Sequence, residues 1–255
     1  ADVVRYWSAS GGLGRDILFS EDKLKLGARL VNKLYNASKF AWLFIENYEP
    51  KSKPTLLPID KWLMSKFSSM KTRFVNYLDA YEVGLAMSEL ESFFWDFCDN
   101  YIELVKVRLY NEETHGKEAK ESGQYAIYHV LLEMLKMFGI YLPHICEEIY
   151  QNTYKEKLGT ISLYKLAFED LDEKEDKELI RNGNLVCDIV SSVRGYKTDN
   201  KISLKTKLTR VDIETPNADF VKSCLSDILD ATCAQKIEIN EAEKLSTKVE
   251  GIVEE

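Results

Sequence analysis

Residues 20–45 read SEDKLKLGARLVNKLYNASKFAWLFI, and the spacing within this stretch decides the fold class. Leu24, Gly27, Leu30, Val31, Leu34, Tyr35, Ser38, Ala41, Trp42 and Ile45 recur at steps of three and four, the spacing of one face of an α-helix. Ser20 stands where an N-cap belongs, because its hydroxyl can accept from a free amide of the first turn. Glu21 and Asp22 then lie where the helix dipole favours negative charge. The stretch therefore predicts one long amphipathic helix that buries one face and offers the other to solvent or to a ligand.

The same reading extends in both directions. Ala1–Ala9 has the texture of the end of a helix, and the run Ser10-Gly11-Gly12-Leu13-Gly14 breaks it. Pro50, Pro54 and Pro58 punctuate the connection after residue 45. A second helix is predicted over 59–78, an aromatic-rich third over 81–109, a fourth over 119–138, and a shorter one from Pro143 to about residue 154. Long helices with short connections imply an antiparallel bundle. Beyond residue 178 the texture changes. Residues 179–193 keep the helical period, 202–208 and 211–213 alternate as strands do, 220–229 reads as a helix, and 236–239 is a further strand candidate. The expected fold is mainly α, an antiparallel helical bundle followed by a small α+β subdomain. The expected boundaries are 1–20 as a junction from something larger, 21–168 as the bundle, 169–178 as an acidic linker and 179–255 as the subdomain.

The chain has 255 residues and a formal charge of −8, with 45% apolar residues, enough for a sizeable core. That charge is not spread evenly. Residues 169–178 hold seven acids against two lysines, and 241–255 hold five against two, so these segments carry −5 and −3, the whole of −8. The remainder is neutral and leaves room for a basic face, since net charge bears on solubility and steering rather than on a particular site. Residues 194–210 hold six basic residues against Asp199 alone. No apolar run approaches the roughly 20 residues that span a bilayer, and Ala1–Ser10 does not read as a signal peptide. A cytoplasmic chain without membrane contact is expected. Cys98, Cys146, Cys187, Cys224 and Cys233 form no C-x-x-C pair, so reduced core thiols are expected and no metal ligands.

Little in the sequence suggests chemistry. Gly11-Gly12-Leu13-Gly14 lacks the strand, the helix start and the lysine of a phosphate loop. Met64-Ser65-Lys66 falls inside an amphipathic helix. His115, His129 and His144 lie in separate segments, and Glu147-Glu148 point about 100° apart on a helix. No catalytic residue is expected. One surface does look chemical: Asn32, Asn36 and Lys39 or Phe40 share a helical stripe that Lys33 borders. Amide, ammonium and aromatic groups together suit unpaired bases, which proteins read through base edges and ring stacking. The basic stretch 194–210 is a second candidate, for RNA phosphates.

Several blocks resemble the valyl-tRNA synthetases, in the family's own order. They are Ala1–Ser10 with Leu13-Gly14-Arg15-Asp16, then 32–40 (NKLYNASKF), 94–106 (FWDFCDNYIELVK) and 142–150 (LPHICEEIY). Residues 1–165 carry the resemblance best, and 193–206 is similar to the family's small distal subdomain. The isoleucyl and leucyl enzymes share the bundle, whereas Leu13–Asp16 and Phe97-Cys98-Asp99 favour the valyl family. The resemblance implies an anticodon-binding module whose first and third helices face the anticodon. It implies Lys33, Asn36, Lys39, Phe40 and Ile102 as anticodon contacts; Arg194, Lys197, Lys201 and Lys205 are candidates for the tRNA backbone. It implies valine tRNA as partner, a catalytic domain elsewhere in the parent enzyme, and ATP with Mg as that enzyme's cofactors, with none in this segment. A monomer that does not itself catalyse is expected. An isoleucyl-type module, or a helical scaffold without RNA, are the alternatives.

Overall fold

The computed structural model describes residues 1–14, 16–50, 53–169, 171 and 174–253. The elements in chain order are α1 (Asp2–Ala9), α2 (Glu21–Ile45), α3 (Pro58–Asp79), α4 (Val83–Asp96), a π-helical turn (Phe97–Tyr101), α5 (Ile102–Tyr110), α6 (Glu112–His115), α7 (Lys117–Phe138), α8 (Pro143–Asn152) and α9 (Lys155–Leu158). A 3₁₀ turn (Leu163–Lys165) follows, then α10 (Lys177–Asp199), β1 (Leu208–Thr215), α11 (Ala218–Ser223), α12 (Leu225–Thr232), β2 (Ile237–Glu241) and β3 (Ser246–Ile252). The fold is mainly helical with one small sheet, as the periodicity implied. Arg15 of the Leu13–Asp16 block lies outside the described residues, as do Asp170, Asp172 and Glu173 of the acidic run and Glu254 and Glu255 of the acidic C-terminus.

The chain divides into two compact units. One comprises Ala1–Lys53, Lys66–Cys98 and Gln124–Glu175; the other comprises Pro54–Ser65, Asp99–Gly123 and Asp176–Glu255. These units group segments that are distant in sequence, and they do not follow the boundaries read from composition.

The first unit is a helical bundle. Ser20 caps α2 as expected, its hydroxyl accepting from the Lys23 amide at 3.3 Å. Leu30, Leu34, Ala41 and Ile45 bury one side of α2, all at or below 1% exposure. Ring pairs hold other helices together: Phe67 with Phe93, and Phe94 with Phe138, each at 5.5 Å between centroids. Gly27 lets α1 approach α2, because a Cβ there would lie 2.7 Å from the Tyr6 ring. The start of α8 is capped from far away in sequence. Leu142 offers no side-chain cap, and the Asp2 carboxylate instead accepts from the amide of Ile145 at 2.9 Å and from His144 Nδ1 at 2.9 Å. Burial pushes the Asp2 pKa up, but the hydrogen bonds from Ile145 and His144 outweigh it and leave the group below the usual carboxylate value.

The second unit is organised around buried charge. Asp60 is fully buried and accepts from Tyr101 Oη at 2.7 Å, from Arg108 Nη2 at 2.5 Å and from the Ser122 hydroxyl. Arg108 also reaches Asp227 Oδ1 with Nε at 3.0 Å and the Ala119 carbonyl with Nη1 at 2.5 Å. Burial lifts the Tyr101 hydroxyl well above its ordinary pKa and lifts Asp227 to about 6. Arg108, opposed by burial, is held firmly charged by Asp60 and Asp227. Gly183 packs α10 against Trp62, where a Cβ would meet the indole at 2.1 Å. The sheet has the order β2-β1-β3, with β1 parallel to β2 (Val211↔Ile237) and antiparallel to β3 (Val211↔Val249). Along β1, Val211, Ile213 and Thr215 point inward, while Arg210 turns outward to Asp212 and Glu238 at 2.6 and 2.7 Å.

Two expectations about local structure are corrected. The predicted third helix is interrupted by the π turn at Phe97–Tyr101. The alternating run 202–208 is not a strand, since only Leu208 belongs to β1. Alternation is a local pattern, whereas a strand needs a neighbour for its amides. Here the carbonyls of Leu204 and Thr206 accept from Lys197 Nζ at 2.9 and 2.7 Å, and the Thr206 amide turns back to Ser203 at 3.0 Å.

Two stability predictions follow from these anchors. Arg108→Leu leaves two buried carboxylates without their partner and is expected to cost about 3–5 kcal/mol in urea unfolding. Asp2→Ala is expected to cost about 1 kcal/mol at neutral pH, the usual worth of a helix cap. Because the folded pKa of Asp2 is depressed, its contribution is present above the unfolded value. The gap between variant and wild type should therefore close as pH falls through the folded pKa, and a gap that persists at low pH would contradict the assignment.

Candidate nucleic-acid interface

The outward face of α2 is built from one side of its 25 residues. Lys25, Arg29, Asn32, Asn36 and Lys39 are exposed, and Leu43 is 56% exposed. Phe40 is half-buried and meets Phe44 edge-on at 5.1 Å, which leaves part of its ring on the outer side. Lys33 borders this face with its ammonium 5.3 Å from the Trp95 ring centroid. From Lys23 to Ile45 there is no acid, against five basic residues at 23, 25, 29, 33 and 39. This local absence of carboxylates in a chain of charge −8 is legible in the sequence, although net charge by segment does not reveal it. Cations and amides on such a face are available to an anion without first breaking buried pairs. Among the described residues, Lys25 alone of the exposed cations Lys25, Arg29 and Lys39 is in an ion pair, with Asp22 at 3.1 Å, an exposed contact that is worth little.

The other candidates fall differently. Ile102 is 3% exposed and belongs to the core of the second unit, so it presents no surface to a base and is withdrawn as a contact. The resemblance placed it by motif position, which does not say which side of the helix is inside. Lys197 is 1% exposed, and its ammonium is spent on the carbonyls of Leu204, Thr206 and Thr232 at 2.7–2.9 Å. Burial pulls its pKa below the ordinary lysine value. It too is withdrawn as a direct phosphate contact. Arg194 is half-buried and paired with Glu103 at 2.8 Å. Lys201 and Lys205 are exposed.

The histidines are each tied to a local acid: His115 to Asp230 at 3.2 Å, His129 to Glu169 at 3.2 Å, and His144 to Asp2 at 2.9 Å. Among the described residues, no group of three or more His, Cys, Asp or Glu could hold a metal ion. Nor is any described helix long and apolar enough to cross a membrane. Cys98, Cys146, Cys187 and Cys224 are buried and Cys233 is half-buried, none of them in a disulfide.

The family model described as the anticodon-binding domain of tRNA ligase matches residues 60–213 of this chain. The chain belongs to that family. Its similar relatives include the valine–tRNA ligase of Ehrlichia ruminantium (strain Gardel), 37% identical over 238 residues, which are 91% of this chain and 28% of that protein. The valine–tRNA ligase of Anaplasma marginale (strain St. Maries) is 35% identical over 252 residues, 98% of this chain and 30% of that protein. That of Rickettsia felis is 32% identical over 260 residues, again 98% of this chain and 30% of the relative. The chain thus spans about 30% of the length of these relatives. Within the anticodon-binding family, the matched range opens on Asp60, the centre of the buried charge cluster, and closes in β1. Helix α2 lies before that range, but the 98% coverage by two ligases leaves no room to omit it.

The burial of Ile102 yields a direct check. Ile102→Ala should cost about 2–5 kcal/mol in unfolding, as expected of a core truncation, while RNA affinity per folded molecule stays at the wild-type value. A variant of unchanged stability and weakened RNA binding would return Ile102 to the surface.

Proposed function

We propose that this chain holds the anticodon loop of a valine-accepting tRNA on the outer face of α2, as the recognition module of a valine–tRNA ligase. The observation that carries the reading is the acid-free stretch from Lys23 to Ile45, with Asn32, Asn36, Lys39 and part of the Phe40 ring on one side. Unpaired bases offer hydrogen-bonding edges and π faces, and amides with an aromatic ring answer both. The lysines and Arg29 supply attraction to the phosphates, which brings the loop to the face before any base is read. Lys33, held near the Trp95 indole, borders the stripe and takes a base edge or a phosphate from the side.

Membership of the anticodon-binding family supports RNA as the partner over a protein-only scaffold. The similarity to valine–tRNA ligases supports valine over isoleucine. In this reading the complete enzyme joins valine to its tRNA using ATP and Mg in a catalytic part beyond this chain. No residue described here is assigned to either cofactor. The contribution of this chain is positioning: it grips the far end of the tRNA so that the acceptor end is presented elsewhere. The working unit is a single chain in the cytoplasm.

Phe40→Ala is expected to weaken binding of a valine tRNA transcript by about 1–3 kcal/mol, the worth of a stacked base. Because Phe40 also touches Phe44, circular dichroism must show the variant folded. An unchanged affinity in a folded variant removes Phe40 from the site. Comparison with an isoleucine tRNA transcript decides the specificity, and equal binding of the two would exclude valine recognition by this module.

A further inference from the structure

The segment between α10 and β1 is a shaped loop, pinned at both ends and in the middle. At its start α10 closes with Lys201 in the left-handed region, φ 57°, the Ile202 amide reaching the Lys197 carbonyl at 2.8 Å and the Lys201 amide reaching Thr198 at 3.0 Å. This wrapped terminus consumes the last carbonyls of the helix. At its far end the Leu208 amide donates to the Cys233 carbonyl at 2.9 Å, and the Lys207 carbonyl accepts from the Val253 amide at 3.0 Å. In the middle stands Lys197. Its buried ammonium draws the carbonyls of Leu204, Thr206 and Thr232 to one point.

That use of a lysine is unusual in energetic terms. Removing an ammonium from water costs several kcal/mol, and a buried one is ordinarily matched by a carboxylate. Among the described residues Lys197 meets three neutral carbonyls and no carboxylate. The ammonium is thus held by dipoles alone, with no opposite charge beside it among the described residues. Above it, Lys201, Lys205 and Lys207 are exposed, and none of the three has an ion pair among the described residues. By contrast, Arg194 and Arg210, which flank the loop in sequence, are both occupied by acids. Four like charges gathered within eleven residues raise the free energy of the unliganded chain, and a polyanion lowers it again.

We infer that the loop 201–207 is a second contact for the tRNA, gripping backbone phosphates through Lys201, Lys205 and Lys207, with Lys197 as the positioning residue that shapes it. The inference rests on the RNA reading above but concerns a different surface. It also divides the roles of the basic stretch: one buried lysine builds, two arginines hold the protein together, and three lysines remain for the ligand. Phosphate contacts fix register and orientation without reading sequence, so this loop contributes affinity and leaves discrimination to α2.

The test is the salt dependence of binding of a valine tRNA transcript to the full chain, wild type against Lys201→Gln/Lys205→Gln/Lys207→Gln. Each phosphate released flattens the log–log slope by about 0.7 for single-stranded RNA, so the triple variant should flatten it by up to about 2. All three positions are exposed, so the fold is expected to survive. Lys197→Met should flatten the slope in the same direction with helix content retained, whereas Lys197→Arg, which keeps charge and donors, should preserve it. A triple variant with the wild-type slope overturns the loop contact while leaving α2 untouched. A flattened slope in Lys197→Arg, or an unflattened one in folded Lys197→Met, overturns the positioning role. A wild-type chain that binds no tRNA at any salt overturns this inference together with the reading on which it rests.

Discussion

A guanidinium buried between two carboxylates governs the second unit. Arg108 is 2% exposed, and every group facing it must stay in place, because leaving a charge unpaired in that interior removes about 3–5 kcal/mol, a large part of a domain's stability. The cluster takes Asp60 from the start of α3, Tyr101 from the π turn, Ser122 from α7 and Asp227 from α12. These positions lie up to 167 positions apart, from 60 to 227, so the unit is assembled by chemistry and not by chain order. The π turn ends on Tyr101, whose hydroxyl donates to Asp60.

Charge elsewhere in the chain is similarly divided between construction and surface. Glu133 is fully buried between Lys71 and Lys136, at 2.9 and 2.5 Å, and also accepts from the Glu169 amide. Lys136 in turn donates to the Ala167 carbonyl at 2.8 Å, so this cluster fastens the segment leading into the acidic run to the bundle. Such residues contribute to net charge but are not available to a partner. The cations of α2 are different in kind: the helix has no acid of its own beyond Asp22, so its outer side keeps its positive potential. The acids that make the chain −8 overall sit in segments remote in sequence from it. A nucleic-acid surface on an acidic protein is thus a matter of placement.

Much of the architecture was legible from periodicity. The apolar spacing of 20–45, the Ser20 cap and the proline-marked start at residue 143 all correspond to elements whose ends fall within a few residues of those expected. Helices announce themselves because their hydrogen bonds are local and their buried face repeats every three to four residues. The strand β3 was not anticipated, since Ser246–Ile252 is mostly exposed and has little apolar alternation to read. Its pairing with β1 is a long-range event. The loop at 202–207 failed in the opposite way, showing a strand's alternation without a strand's neighbour.

For the site, the sequence by itself determined which side chains α2 carries, their helical phase and the absence of acids among them, because all three depend only on residue identity and a known rise per turn. Only the tertiary structure decided which candidate side chains were available. Ile102, Lys197 and Arg194 looked as available on paper as Lys39 or Lys201, yet burial, three carbonyls and Glu103 respectively claim them. The reason is that exposure and ion pairing are properties of neighbours brought together across the chain, such as Arg194 and Glu103 from ninety-one positions apart, and no local pattern encodes them.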